Sequence, residues 1–180
     1  GTAAQFTVVP ARQAVRIPDG IDIDQAAALG IPYLTAYGCL FGDGPIDGQT
    51  VLVHGGAGAV GHAAVQLARR GGAHVIATVS SEAQGEIAAE AGAPVVIDYT
   101  AEGAIDAIKS AARAGVDRII EVDLTRNLDL DVAVMVPGGV IVTYAADAAD
   151  PTLSVRTLMT RNATLRFVLV YGFPPALLAA

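Results

Sequence analysis

The run Gly56-Ala57-Gly58-Ala59-Val60-Gly61 carries the clearest chemistry in the chain, and it is the chemistry of bare backbone. In this G-x-G-x-x-G pattern Gly56 permits a sharp exit from a strand. Gly58, without a Cβ, lets the main chain approach a pyrophosphate, and Gly61 lets a following helix lie close on a sheet. A helix starting there adds unpaired N–H groups and partial positive charge, which suit a diphosphate. A tight turn that binds nothing can carry the same glycines, so the flanking elements decide.

Those flanks read as strand and helix. Residues 50–54 (TVLVH) are a short apolar run of β-formers after Asp47-Gly48. Ala63, Ala64, Leu67 and Ala68 recur at helical spacing, Arg69 and Arg70 fill the last turn, and Gly71-Gly72 stops it. Residues 75–79 form a second buried strand. Downstream, the pattern predicts helix 82–91, strand 95–98, helix 104–114, strand 116–122 and helix 128–136, stopped by Pro137-Gly138-Gly139. Strand 140–144, a helical or irregular stretch 156–161, strand 164–171 and a helix from Pro174 complete it. Upstream, residues 1–10 read as a β-segment. Asp22 or Asp24 caps a short helix over 25–29, and Pro32 opens a second over 33–41. Strands alternating with helices imply an α/β, Rossmann-type doubly wound parallel sheet of order 3-2-1-4-5-6.

Composition narrows the classes. The 180 residues suit one domain; 53% are hydrophobic and only 16% charged, so the core is large. A net charge of −7 argues against a general field for nucleic acid or an anionic membrane. The uncharged run 25–42 is broken by Gly30, Pro32 and Gly38 and reads as buried helices, not a membrane span. Cys39 is the single cysteine, which excludes an internal disulfide and a cysteine-rich zinc site. With no signal peptide read at the start, a reducing, cytoplasmic setting is expected. His54, His62 and His74 read as scattered, and Glu121 and Asp123 as solvent-facing strand-end charges.

On these residues the chain resembles the medium-chain dehydrogenase/reductase superfamily, and within it the zinc-free quinone oxidoreductases of the zeta-crystallin type. The likeness rests on Pro18-Asp19-Gly20, the segment GIPYLTAYG from Gly30, and VLVHGGAGAVGHAAVQLAR from Val51. Ala91-Gly92-Ala93, GVDRIIEV from Gly115 and the stretch from Pro137 to Val142 extend it. Such enzymes are about twice as long, with an amino-terminal GroES-like catalytic domain. The resemblance therefore implies one coenzyme-binding domain over 1–180, with 1–20 a lead-in from a catalytic domain absent here and 21–180 the dinucleotide-binding core. It also implies that this piece alone is inactive.

The resemblance supplies a site. Gly56, Ala57, Gly58, Ala59, Val60 and Gly61 would hold the diphosphate. At the end of the second strand Val79 is followed by Ser80 and Ser81, where an acidic residue would select NAD. Two hydroxyls and open N–H groups tolerate a 2′-phosphate, so NADPH is favoured over NADH, although Gln84 replaces a basic residue of the family. Tyr99 matches an adenosine-side position. Asn127 matches a cofactor-contacting asparagine, though a bare asparagine there also reads as a helix cap. Tyr144, Ala145 and Ala146 would lie beside the nicotinamide ribose, with alanine at 145 where the family has glycine. Val168, Leu169 and Val170 match the last-strand segment that holds the carboxamide, and Thr35 a threonine beside the ring. Counting four back from Thr35, where zinc relatives carry a cysteine ligand, reaches Ile31, so no metal is expected. No catalytic residue is assigned to this chain. The implied reaction is hydride transfer from NADPH to a quinone or related conjugated carbonyl. An enoyl reductase and a non-catalytic NADPH-binding module are the alternatives. A homodimer through the edge strand Thr164 to Tyr171, a small-molecule substrate, and neither nucleic acid nor membrane as partner complete the expectation.

Overall fold

Along β1 (Thr50–Val53) side chains alternate between two hydrophobic layers, and that alternation sets the architecture. Val51 and Val53 enter one layer and Leu52 the other. The pattern repeats in β2 (His74–Val79), where Val75, Ala77 and Val79 oppose Ile76. In β4 (Val116–Glu121) Ile120 opposes Ile119, and in β5 (Met135–Thr143) Val142 opposes Ile141. Strands apolar on both faces need helices on both, which is the setting of parallel sheets. With β3 (Val95–Asp98) and β6 (Thr164–Phe167) the sheet is wholly parallel, in the order β3-β2-β1-β4-β5-β6. The computed structural model describes residues 4–146 and 149–178.

α1 (Ile23–Phe41), α2 (Ala59–Arg70) and α3 (Glu82–Glu90) cover the first face through Ala36, Cys39, Leu40, Ala63, Ala64, Ala68 and Ala88. α4 (Ala104–Ala112) and α5 (Leu124–Val134) cover the second through Ile108, Ala112, Leu124 and Leu128. α6 (Val155–Thr160) precedes β6, and α7 (Pro175–Leu178) ends the described chain. None of these helices is long and apolar enough to cross a membrane.

The sheet order matches the sequence reading, while several boundaries differ. α1 is one helix, not two, with Pro32 in its interior. Asp22 caps it, its carboxylate accepting the N–H groups of Asp24 at 3.0 Å and Gln25 at 3.3 Å. Proline in a helix interior costs about 3 kcal/mol, and the buried second half, with Thr35, Ala36, Gly38, Cys39 and Leu40, offsets it. Residues 4–10 form no strand; 1–3, and 179–180 of the expected final helix, lie outside the described residues. α5 starts at Leu124 because the Asp123 carboxylate accepts the Arg126 N–H at 3.3 Å. Pro137-Gly138-Gly139 does not follow a helix; it lies inside β5, where the register slips between Val116–Met135 and Arg118–Val140. A bulge tolerates proline because no ladder bond is demanded there. β6 ends at Phe167, not Tyr171, although the Val168 N–H still reaches the Thr143 carbonyl at 2.9 Å. Val170–Gly172 is a 3-10 turn.

Arg118 is the charged residue inside the first layer, only 4% exposed. Its guanidinium donates to the Cys39 carbonyl at 3.1 Å and pairs with Asp43 at 3.0 Å. Arg166 from β6 also pairs with Asp43 at 3.1 Å and donates to the Gly38 carbonyl at 3.1 Å. Two strands thus grip the carboxyl end of α1, where carbonyls lack helical partners. Asp43 is itself solvent-accessible, but removing it takes the carboxylate from the buried Arg118, so Asp43→Ala should lower the unfolding free energy by about 1–2 kcal/mol. Denaturant unfolding checks this, and an unchanged midpoint would show that Asp43 is dispensable.

Candidate functional site

The chain turns at the carboxyl end of β1 through Gly55, whose φ is +64°. This is the position that requires glycine, and it is one residue earlier than the sequence reading placed the sharp exit. Gly56 serves packing: a Cβ there would lie 2.8 Å from the Ala77 Cβ and 3.3 Å from that of Ala88. The Gly58 N–H closes the turn on the Gly55 carbonyl at 2.8 Å, and Gly58 becomes the N-cap of α2 with no side chain capping the helix. The first-turn N–H groups of a helix have no partner within it. A Cβ on Gly61 would fall 2.1 Å from the Gly55 oxygen, whereas one on Gly58 would meet only that oxygen, at 3.3 Å. The space over Gly58 is open.

That space is a cleft of about 730 Å³ at the carboxyl ends of the strands. Gly55, Ala57, Gly58, Ala59 and Val60 form its floor. Ser80, Gln84 and Tyr99 line one wall, and Asp123, Arg126, Asn127, Tyr144 and Ala146 the other. Eight of the expected residues do not line it. Gly56 and Gly61 lie within the turn, and Ser81 caps α3 by accepting the Gln84 N–H at 3.4 Å. The Ala145 carbonyl accepts the Thr143 hydroxyl at 2.9 Å. Thr35 is buried on α1, Val168 is buried, and Leu169 and Val170 have left the strand.

Two polar details depart from the sequence reading, and a third is new. The Ser80 N–H and hydroxyl both donate to the Gln84 side-chain oxygen, at 2.9 and 3.0 Å, so this N–H is not open. Asn127 does not cap α5; its amide donates to Glu121 Oε1 at 2.9 Å. Arg126, the one arginine or lysine lining the cleft among the described residues, pairs with Asp123 at 3.1 Å.

Behind that wall lies a group the sequence reading missed. His54 is 2% exposed and Glu121 and Asp131 are each 0% exposed, so Glu121 is not a solvent-facing charge and His54 is not isolated. Here His54 Nε2 lies 2.9 Å from Asp131 Oδ1 and 3.5 Å from Glu121 Oε2, and Nδ1 lies 2.9 Å from the Thr78 hydroxyl. The signal was strand alternation: His54, Thr78 and Glu121 each follow an α5-facing residue (Leu52, Ile76, Ile119) by two, which puts them on the same face. The donor atoms of the three titratable groups lie within 4.8 Å of one another. His62, by contrast, pairs with Gln66, at 2.9 Å.

Burial dominates the titration here. It pushes the Glu121 carboxyl up to about 7, helped by the Asp131 charge and opposed by His54. Burial works to lower the His54 imidazole, but the hydrogen bond and charges of Asp131 and Glu121 outweigh it, and the net shift is upward. Burial also raises the Tyr144 phenol, and it pushes the Cys39 thiol up to about 12, leaving an inert core residue.

A parallel sheet in this order, whose glycine turn delivers an uncapped helix into a cleft between β1 and β4, defines a dinucleotide-binding Rossmann domain. The chain belongs to the zinc-binding dehydrogenase family, whose model matches residues 59–179. It is 32% identical over 174 residues to a quinone oxidoreductase of Pongo abelii, covering 96% of this chain and 53% of that one. Among solved structures, the quinone oxidoreductase of Thermus thermophilus, described also in complex with NADPH, superposes with a TM-score of 0.75 at 29% identity, over 86% of this chain and 50% of that one. The Escherichia coli quinone oxidoreductase complexed with NADPH gives 0.81 at 25% identity, over 93% and 53%. The chain spans about half the length of the curated relatives it matches.

Both buried groups with raised pKa stabilise the fold most when protonated. For Glu121 that contribution is present below its ordinary 4.5 and is lost as pH rises through about 7. For His54 it is present below 6.5 and lost at higher pH. The thermal midpoint should therefore fall between about pH 6 and pH 9, on the order of 5 °C for a domain of this size. A midpoint that stays level or rises over that window would contradict the assignment.

Proposed function

We propose that this chain is the coenzyme-binding half of an NADPH-dependent quinone oxidoreductase. The observation that carries the reading is the uncapped start of α2 beneath the open space over Gly58. A diphosphate fits there because it needs N–H donors, positive potential and no Cβ in its way. Ala57 to Gly61 hold it. Ser80 and Ser81, with Tyr99 beside them, take the adenosine end, and Arg126 faces them across the cleft. Seating a 2′-phosphate on Ser80 requires the Gln84 oxygen to swing away from it. NADPH over NADH is supported by the absence of an acidic residue directly after Val79.

Asn127, Tyr144, Ala145 and Ala146 are assigned to the nicotinamide ribose, Val168, Leu169 and Val170 to the carboxamide, and Thr35 to the ring. Support for that end is that Val168 and Tyr144 pack in the same apolar layer as α1, which carries Thr35. When bound, the nicotinamide supplies the hydride that a quinone or conjugated carbonyl accepts. The residues of this chain bind and orient it and keep water from its face. The acceptor side belongs to a GroES-like domain in this reading, which uses no metal; Ile31 stands where zinc relatives carry a ligand. The protein is placed in the cytoplasm. A second copy pairs along β6, which among the described residues has a neighbour only on its β5 side and is followed by apolar residues 67% and 80% exposed at Leu169 and Tyr171.

Titration with NADPH should show saturable binding, and Gly58→Ala should weaken it about tenfold with little change in thermal midpoint, since its Cβ enters only the space over the turn. Equal affinity in the variant would remove the diphosphate from Gly58, and tighter binding of NADH would overturn the phosphate assignment. Sedimentation at tens of micromolar should show a dimer; a monomer alone would refute the β6 interface. Substrate profiling of a full-length protein should show quinone turnover, and turnover of enoyl thioesters alone would replace the quinone assignment.

A further inference from the structure

Behind the wall of the cleft, the carboxylates of Glu121 and Asp131 come within 4.8 Å of each other, and each has one oxygen without a hydrogen-bond partner among the described residues. These are Glu121 Oε2, which lies 3.5 Å from His54 Nε2, and Asp131 Oδ2, although both side chains are fully buried. Their other oxygens are engaged. Asp131 Oδ1 meets His54 Nε2 at 2.9 Å. Glu121 Oε1 accepts the Asn127 amide at 2.9 Å and also the Asp123 N–H.

The titratable groups around Glu121 come from three elements. His54 faces it from the end of β1 and Asp131 from α5. Asp123, paired outward with Arg126, lies at the start of α5, and Tyr144 lies after β5. Among the described residues His54 is the one buried group at this site able to carry positive charge, so two ionised carboxylates would leave uncompensated negative charge in the interior. A divalent cation is the other way to neutralise such a group. Here, however, His54 Nε2 is already committed to Asp131, and the arrangement is that of a hydrogen-bonded chain.

We infer that Glu121 is a positioning residue for the nucleotide cleft: it retains one proton, donated from Oε2 to Asp131 Oδ2, so that Oε1 stays in place to hold the Asn127 amide and the Asp123 N–H. The inference rests on the nucleotide-binding reading for its consequence, though not for the proton itself. When the proton leaves, the two carboxylates repel, Glu121 shifts or draws in water, and Asn127 loses its anchor on the cleft wall. A glutamine at 121 reproduces the protonated acid, with an N–H toward Asp131 and a carbonyl toward Asn127.

The test uses the 180-residue chain as wild type, Glu121→Gln and Glu121→Ala. Carbon-13 carboxyl NMR without nucleotide should show Glu121 titrating near neutrality. NADPH affinity of the wild type should fall about tenfold between about pH 6.5 and pH 9, up to about a decade per unit beyond the midpoint. Glu121→Gln should hold the low-pH affinity across that range, and Glu121→Ala should be about tenfold weaker throughout. Titration of the ligand's own phosphate is common to all three and cancels. A Glu121 carboxyl titrating in the ordinary acid range, a glutamine variant with the wild-type pH profile, or one equivalent of zinc retained by wild type and lost from Glu121→Ala would each overturn the inference. Absence of NADPH binding at every pH would sink the nucleotide reading and the positioning role, while the carboxyl signal would still decide whether the proton is held.

Discussion

The constraint on which the rest of the structure depends is between two backbones. The α-carbon of Gly61 sits so near the Gly55 carbonyl that a methyl group at 61 would fall 2.1 Å from the oxygen. That contact fixes where α2 leaves the turn, and so the direction of its axis over the sheet. Ala63, Ala64 and Ala68 continue the close approach, and on α1 Ala36 and Cys39 join the same layer. Small residues along this seam let two helices and three strands share one thin layer. The cleft is a by-product: with α2 held down, its first turn opens onto the space above Gly58.

Polar groups buried in such a sheet need full compensation, and the protein separates its two cases by location. Arg118 lies mid-strand and is answered by the Cys39 carbonyl and Asp43, an arrangement that fastens α1. His54 and Glu121 lie at strand ends on the opposite face, with Asp131 of α5 packed over them, next to the cleft. The first group fixes packing. The second reaches the cleft wall through Asn127, and its protons are the variable quantity.

Strand order, the turn and most helix positions were legible in the sequence because they follow from period and punctuation. Apolar runs at residues 50–54 and 75–79 and the glycine stops at 71–72 and 92 leave few other readings. What escaped depends on tertiary context. Pro32 reads as a helix start, yet burial of the residues after it carries the helix straight through. Pro137-Gly138-Gly139 reads as a stop, but a bulge absorbs it within β5. Glu121 looks like a surface charge beside Asp123 until α5 packs over it and brings Asp131 within reach. The Ser80 N–H looks open because nothing in the sequence tells which way Gln84 turns. Of the expected site, the turn, Ser80, Tyr99, Asn127, Tyr144 and Ala146 converge on one cleft, whereas Thr35 and Val168 to Val170 lie outside it.

A floor made of main chain has an evolutionary corollary. The features that would seat a diphosphate are a positive φ at Gly55 and the missing side chain at Gly58, and neither involves a functional group. Residues on the walls, such as Gln84, Arg126 and Asn127, are therefore free to drift without disturbing it. Ligand preference and chemistry can then be rewritten at the rim, one side chain at a time, over a seat that stays the same.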